Sequence, residues 1–524
     1  MSNPAPSSAT TSQAHERDRG LRAIGAVPHH RVIVLGAGFG GLGMAIRLLQ
    51  EGERDFVVLE KASDVGGTWR DNTYPGCQCD VASNLYSFSF APNPDWTRTY
   101  AWQGEILDYL RACTDRFGVR PFIRFDHQLL EARWNEAQQR WLVRTNHGDL
   151  SADFLVSGHG GLSAPSVPEI PGLSRFEGTT FHSAEWRHDH SVEGERVAVV
   201  GTGASAIQVV PSIQPKVKKL TLFQRTPAFI VPRMDAPFTQ RQRWSFRHMP
   251  FTQGLDRLRI YLLSELTVIG MRDPKLMQRG ETFTKRHLME QVRDPELRKK
   301  LTPNYALGCK RILRSDDYYP ALTQPNVEVV SEGIREVDEG AVITSDGTRH
   351  EVDTIILCTG FKVTDHPILE RYIGRDGRSL GEHSRQGMTA YLGTTAPSFP
   401  NMFVLSGQYT AQGHTSAVYM LESQFTYVLD ALRVMKERDA ATFEVKREVA
   451  DAFDAEMQGA LEGTVWNSGC ASWYLDASGR NTTIWPMFTW RYRKRTRHFD
   501  VASYDFQPRA QPSAEPREAA TAAE

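Results

Sequence analysis

Long hydrophobic runs are missing from this chain of 524 residues, so no stretch is long enough to span a bilayer as a helix. Charge of one sign is missing too. The formal net charge is -1, which leaves no bulk field to draw nucleic acid or an anionic membrane. Cysteine is scarce, with six in all, too few for a disulfide framework in a chain of this length. Cys77 and Cys79 stand close, but Cys-x-Cys without a second cluster is poor metal spacing. All six therefore read as structural or incidental thiols, no metal site is expected, and a reducing cytosol fits. The opening segment, Met1 to about Pro28, lacks the apolar core of a signal peptide and reads as a disordered tail. The end, from about Gln507 to Glu524, has a similar composition and the same reading.

What remains is ordinary for a globular protein: 40% hydrophobic and 23% charged residues. The length exceeds what one compact core serves, so two or three domains are expected. The first ordered element is Arg31-Val-Ile-Val-Leu35, a β-branched apolar run that ends in glycines as a buried parallel strand would. A helical pattern follows through Leu42, Ile46 and Leu49, and then a strand, Phe56–Leu59, that ends at Glu60. This is a βαβ unit. A second copy runs from the strand Arg196–Val200 through a helix containing Ile207 and Val210 to the strand Lys219–Phe223.

Between the first strand and its helix lies Gly36-Ala-Gly38-Phe-Gly40-Gly41. Its first glycine permits the tight turn, the second lets the backbone approach a pyrophosphate, and the third lets helix and strand pack closely. The helix N-terminus then offers amide donors to the phosphates. Glu60, about twenty residues on, would accept from ribose hydroxyls. Its charge repels a 2'-phosphate, so this site suits FAD or NAD rather than NADP. The second copy carries Gly201-Thr202-Gly203-Ala204-Ser205-Ala206, with Gln208 on the following helix, and its strand runs into Gln224-Arg225-Thr226. A cation and a hydroxyl at that strand end suit a 2'-phosphate. The fold class is therefore α/β, with two Rossmann-like modules: FAD on the first and NADPH on the second.

The expected division is a tail at 1–28, an FAD-binding domain at 29–165 and 346–506, an NADP-binding domain at 166–230 and 306–345, and a tail at 507–524. A helical insertion fills 231–305, with Leu255, Leu258, Leu262 and Leu263 at helical spacing from about Met234 to Tyr305. Its Phe and Leu content suggests that it shapes an apolar substrate cavity. Strands return near Val327–Val330, Ala341–Thr344 and Thr354–Leu357, and a long helix is expected over Ser416–Lys436. Asp153, ahead of Phe-Leu-Val-Ser-Gly158, and Thr359-Gly360 mark strand-to-cofactor crossings.

Between the modules, Phe176-Glu-Gly178-Thr-Thr-Phe-His182-Ser-Ala-Glu-Trp186 gives F-x-G-x-x-x-H-x-x-x-W. It resembles the fingerprint of the Baeyer–Villiger monooxygenases, although Arg187 stands where that family usually has Pro or Asp. A second family pattern is complete: Gly66-Gly67-Thr68-Trp69, then Tyr74-Pro-Gly76, then Asp80. The similarity covers nearly the whole chain between the tails. It implies FAD and NADPH as cofactors, and dioxygen and an apolar ketone as partners. The implied product is an ester or lactone, reached by way of a peroxide carried on the flavin.

The resemblance also implies that Lys310 lies near the NADP phosphate and Arg311 beside the flavin. Arginine stays cationic at any working pH, so it can hold an anionic activated oxygen and the negative oxygen that forms on the substrate carbonyl. Removing one such donor typically costs about 3–4 kcal/mol of transition-state stabilisation. Asp80 would pair with Arg311 and orient it, while Arg314 is a competing cation nearby. Trp69 and Tyr86 line the flavin by family position, or simply pack in the core. Trp473-Tyr-Leu-Asp-Ala resembles the loop that closes over NADP. His182 reads as a residue hydrogen-bonded across the linker between domains, rather than a catalytic one. The basic run Arg491–Arg497 reads as a solvated face.

Three other readings compete. A flavin-containing monooxygenase oxidising nitrogen or sulfur shares both modules but has no need of Arg311. An NADPH-dependent disulfide reductase needs a cysteine pair at a spacing that Cys77 and Cys79 lack. A binding protein with the fold but no catalysis would have little use for Asp80, Lys310 and Arg311 together.

Overall fold

The computed structural model describes residues 27–509. The first βαβ unit is strand β1 (His29–Leu35), the helix Phe39–Gln50 and strand β2 (Phe56–Leu59). Every side chain of β2 is buried, which is why it reads as a continuous apolar run. Beyond it come β3 (Ile123–Arg124), β4 (Leu129–Asn135), β5 (Arg140–Thr145) and β6 (Gly148–Ser157). Strand β6 is parallel to β1 and antiparallel to β5. At its C-terminal end its other edge pairs with the late strand Met402–Val404. The chain thus leaves the first sheet, builds the second and returns to complete the first.

The second sheet is all parallel. It contains Thr179–His182, Arg196–Val200, Lys219–Phe223, Val327–Val330 and Thr354–Leu357. Strand Thr354–Leu357 lies between Arg196–Val200 and Thr179–His182. Both sheets end their glycine-bearing strands toward the same region, as two Rossmann-like modules sharing one crevice should. The helix Ala417–Glu437 lies where a helix over Ser416–Lys436 was expected and packs along Phe39–Gln50.

Several expectations need correction. Gln507 and Pro508, assigned to the tail, pair with Thr442 and Ala440 in an antiparallel ribbon. Pro28 is likewise held, its carbonyl accepting from the Ser151 amide at 3.0 Å. Of the two expected tails, 1–26 and 510–524 lie outside the described residues. Cys309 and Cys470 form a disulfide across 161 residues, so they are not thiols; only the fold brings them together. Cys77, Cys79, Cys113 and Cys358 are free and buried.

The insertion is helical: Gln240–His248, Pro250–Arg272, Pro274–Gln291 and Pro295–Leu301. Its four helices do not line the central cavity; of the expected 231–305 stretch only Arg233 and Tyr305, near its ends, do. Instead, one face of Pro250–Arg272 docks on the first module. Gln253 donates to Asn84 at 2.8 Å and to the Asn93 carbonyl at 2.6 Å, and Arg257 donates to the Asn84 carbonyl at 2.8 Å. Tyr261 stacks on Tyr419 with ring centres 4.8 Å apart. The leucines expected to face a substrate point the other way. The basic run is also less free than expected: Arg493 pairs with Glu422 at 3.2 Å and Arg495 with Glu456 at 2.8 Å. Among the described residues, no helix is long and apolar enough to cross a membrane.

Candidate active site

One continuous cavity of about 1400 Å³ runs between the modules. A drug-sized ligand needs about 300–1,000 Å³, so this space suits more than one molecule. On the first module the turn at Gly36 has φ +88, and a Cβ there would stand 2.8 Å from the Gly158 carbonyl. A Cβ on Gly41 would meet the Gly36 carbonyl at 1.8 Å, so Gly41 serves close packing and does not line the cavity. Gly38, Gly40, Gly67, Thr68 and Trp69 do line it. Glu60 lines it as well, with its carboxylate already engaged. One oxygen accepts from the Ala37 amide at 2.7 Å; the other accepts from Ala62 at 3.0 Å and Arg70 at 2.9 Å. These bonds fix the carboxylate at the end of the second strand. The Trp69 indole donates to the Tyr86 hydroxyl at 3.1 Å, and both rings border the cavity.

Cofactor-shaped demands appear beside the same glycine loop, where a Cβ on Gly40 would meet Leu421 at 3.5 Å. Gln412 Nε2 and Thr415 Oγ1 are buried without a hydrogen-bond partner among the described residues, and both residues line the cavity. They directly precede the helix Ala417–Glu437, whose N-terminal residues Ala417, Met420 and Leu421 also line it. Buried polar atoms need partners, and a helix N-terminus favours negative charge. A flavin, with its ring carbonyls and its anionic reduced state, fits this donor set.

On the second module Thr202, Gly203, Ala204 and Ser205 line the cavity, while Ala206 is packed inside. Thr202 donates to the Thr226 carbonyl at 2.7 Å, tying the glycine loop to the strand end that carries Arg225. Arg225 and Lys310 both line the cavity, and among the described residues neither forms an ion pair. Burial and then the Arg225 charge hold the Lys310 amine below its ordinary pKa. Two uncompensated cations this close are what a phosphate dianion would satisfy. Gln208 does something different: its amide joins the modules, accepting from Tyr74 at 3.1 Å and donating to the Gln78 carbonyl at 2.9 Å. Gly76 sits against the same helix, where a Cβ would come within 2.7 Å of the Gln208 carbonyl.

Asp80 and Arg311 meet at the centre. Arg311 donates from Nε to Oδ2 of Asp80 at 2.8 Å, and its Nη2 makes an ion-pair contact with the same oxygen at 2.7 Å. About a quarter of each side chain is exposed, and both residues line the cavity. The Asp80 charge, acting against burial, raises the Arg311 pKa, so the guanidinium stays charged. Burial pushes Asp80 up, yet Arg311, helped by Arg314 and Arg233, holds its carboxyl below the usual range. Burial pushes the Tyr474 phenol, beside this pair, up to about 12. Arg314 lines the cavity but has no contact of its own with Asp80. The disulfide is adjacent: Cys309 precedes Lys310, and Cys470 lies three residues before Trp473, which lines the cavity.

The fingerprint residues stand outside the cavity wall. His182 ends the edge strand of the second sheet; its Nδ1 accepts from Ala184 at 3.1 Å, and its ring meets Phe361 edge-on at 5.8 Å. Burial lowers its pKa. The structure gives it a local cap beside the returning crossing Cys358–Phe361. Trp186 packs edge-to-face on Phe181 at 5.0 Å. Gly178 is required because a Cβ would stand 2.2 Å from the Asp353 carbonyl and 2.6 Å from the Phe176 ring. Arg187, the departure from the family pattern, pairs with Asp189 at the surface.

Some lining residues were not anticipated. His159 shares Ser157 with Tyr372, at 2.7 and 2.6 Å, and His366 reaches Ser163 at 2.9 Å. Burial lowers His159 to about 3 and His366 to about 4, so both are neutral near pH 7. The glycine-rich run Gly158-His-Gly-Gly161 after a buried strand was the signal that could have found His159. Cys77, raised to about 12 by burial, and Cys79, also raised, are poor nucleophiles, which removes the physical basis for disulfide exchange.

Residues 29–251 match the family described as flavin-binding monooxygenase-like. A Baeyer-Villiger monooxygenase of Streptomyces coelicolor is 50% identical over 479 residues, covering 91% of this chain and 92% of that protein. Among solved structures, a cyclohexanone monooxygenase from Rhodococcus sp. Phi1 bound to NADP+ is 28% identical with a TM-score of 0.82. OTEMO in complex with FAD and NADP is 25% identical with a TM-score of 0.82. Each of these two covers 92% of this chain and 100% of its own.

Proposed function

The chain belongs to the Baeyer–Villiger monooxygenases, and we propose that Arg311, oriented by Asp80, is the residue on which its ketone oxidation turns. It is an FAD-containing, NADPH-dependent enzyme. The bound FAD supplies electron transfer from NADPH and the activation of dioxygen. The chain's own residues do the rest. The glycine loop at Gly36–Gly41 and Glu60 hold the adenosine end of FAD. Gln412, Thr415 and the helix N-terminus at Ala417 meet its ring. Arg225 and Lys310 hold the 2'-phosphate of NADPH, and Thr202 with Ser205 supports the pyrophosphate.

Arg311 has two tasks, and both need a permanent positive charge. It favours the deprotonated, nucleophilic form of the activated oxygen, and it stabilises negative charge on the carbonyl oxygen of the ketone under attack. Asp80 does not take a proton; it fixes the guanidinium and stays ionised. The observation that carries this reading is that Arg311 Nε donates to Asp80 Oδ2, with Nη2 2.7 Å from the same oxygen, while 29% of the Arg311 side chain stays exposed at the cavity wall. Trp473, on the segment tied down by Cys470, closes over NADPH and excludes water. Aliphatic walls at Val404, Leu405, Ala411 and Met420 support an apolar ketone.

The test is a ketone panel under air with purified protein and NADPH. Ester or lactone formation with matching NADPH and oxygen loss is expected. Oxidation of amines or sulfides alone, with no ester from any ketone, overturns the reading.

A further inference from the structure

The helix Pro250–Arg272 docks by a largely polar face and carries an apolar stripe elsewhere on its surface. Gln253, Glu265, Val268 and Met271 are its buried residues, and Arg257 and Tyr261 are half-buried on the docked side. Away from Gln253, Val268 and Met271, with the buried Glu265 at its flank, a second side carries Phe251, Leu255, Leu258, Leu262, Leu266 and Ile269, between 46% and 66% exposed. At 3.6 residues per turn these six lie within a stripe about 80° wide. No charged residue interrupts it. A solitary chain has no reason to hold such a stripe in water.

The spacing of the stripe is symmetric. Counting outward from Leu262, four residues in either direction reach Leu258 and Leu266, and seven reach Leu255 and Ile269. An antiparallel copy of the same helix, related by a two-fold axis through Leu262, would therefore set Leu262 on Leu262, Leu258 on Leu266 and Leu255 on Ile269. This is the self-complementarity that an isologous dimer interface needs, with the three-four apolar spacing of paired helices. We infer that this face is a docking surface for a second copy of this chain.

The area supports this occupant. Six large apolar residues at these exposures offer roughly 600 Å², the upper end for the largest patch of a typical monomer. With the flanking Leu263 and nearby Trp244, both more than half exposed, the patch approaches the ~800 Å² per partner of a stable interface. An anionic lipid surface is the less favoured occupant. It would need free cations beside the stripe, and the nearest, Arg259, is already paired with Asp256 at 2.9 Å. The inference is independent of the catalytic reading, because no residue of 234–304 lines the cavity.

The test uses the full-length, FAD-loaded protein. Light scattering after size exclusion at tens of micromolar should give twice the mass of one chain. Leu262→Glu should give one chain mass, with the flavin spectrum and ketone turnover unchanged. A short bismaleimide should link Leu262→Cys to its own copy. It should fail with Leu255→Cys, which would stand about 20 Å from its equivalent across the axis. A wild-type monomer, a dimer that survives Leu262→Glu, or equal cross-linking at both positions overturns the inference. So does a monomer that sediments with anionic vesicles, which would give the face to lipid.

Discussion

Arg311 donates from Nε to one carboxylate oxygen of Asp80, 231 residues earlier in the chain, and holds Nη2 2.7 Å from that same oxygen. Both residues line the cavity. The arrangement fixes direction as well as charge. Asp80→Asn keeps the shape, but it removes the ion pair and the charge from a hydrogen bond worth about 1.5–3 kcal/mol when ionic. Ester formation should fall about 10- to 100-fold through kcat, with KM for the ketone little changed. Stopped-flow reduction of the flavin by NADPH should stay near wild type. A rise in ketone KM alone would show Asp80 to be a binding residue instead.

The pH dependence separates this pair from the histidines. Asp80 titrates below its unfolded value. The stability of its ion pair is therefore present above the ordinary carboxylate range and is lost only as pH falls below it. His159 and His366 are also depressed, to about 3 and about 4. The unfolded chain takes up their protons first, near pH 6.5. Their contribution is present above pH 6.5 and is lost progressively as pH falls toward 4. Thermal unfolding followed from pH 8 to pH 4 should show a falling midpoint in that window. His159→Gln with His366→Gln should flatten the slope there.

Cofactor choice should follow the two unpaired cations. Arg225→Ala removes one charge-assisted contact to the 2'-phosphate, so KM for NADPH should rise about 10- to 100-fold. KM for NADH should barely move. Steady-state kinetics with both nucleotides checks this directly.

The Cys309–Cys470 link ties the segment carrying Trp473 to the residue before Lys310. Cys470→Ser should loosen that segment, raising KM for NADPH several-fold and lowering the thermal midpoint. Thiol reduction of the wild type should reproduce both changes and add nothing to the variant. Identical kinetics in reduced and oxidised wild type would show that the link does not hold the segment.

What the sequence made legible was local. Strand, glycine turn, helix and Glu60 fall within about thirty residues, so their periods and turn residues announce the module. The second module was readable for the same reason. The Cys309–Cys470 pair, the Ser157–His159–Tyr372 group and the junction made by Gln208 depend on residues brought together from across the chain. No period or spacing encodes them. The insertion is instructive in another way. Leucines at 255, 258 and 262 correctly signalled a helix, but an apolar stripe does not say which neighbour it faces. Here the opposite, more polar face of Gln253, Arg257 and Glu265 docks on the first module, and the leucines point outward. Asp80 with Arg311 was reached through family resemblance, because nothing local relates them.

The most direct measurement is product formation by Arg311→Ala, with Arg311→Lys beside it. Loss of a charged donor at the reacting oxygen costs about 3–4 kcal/mol, or roughly 10²–10³ in rate. The account predicts that Arg311→Ala binds FAD, is reduced by NADPH at near the wild-type rate and consumes oxygen, yet gives almost no ester. Arg311→Lys should recover a small part of the activity, since the charge returns without the fork that meets Asp80. Ester formation by Arg311→Ala at a rate close to wild type would contradict the account.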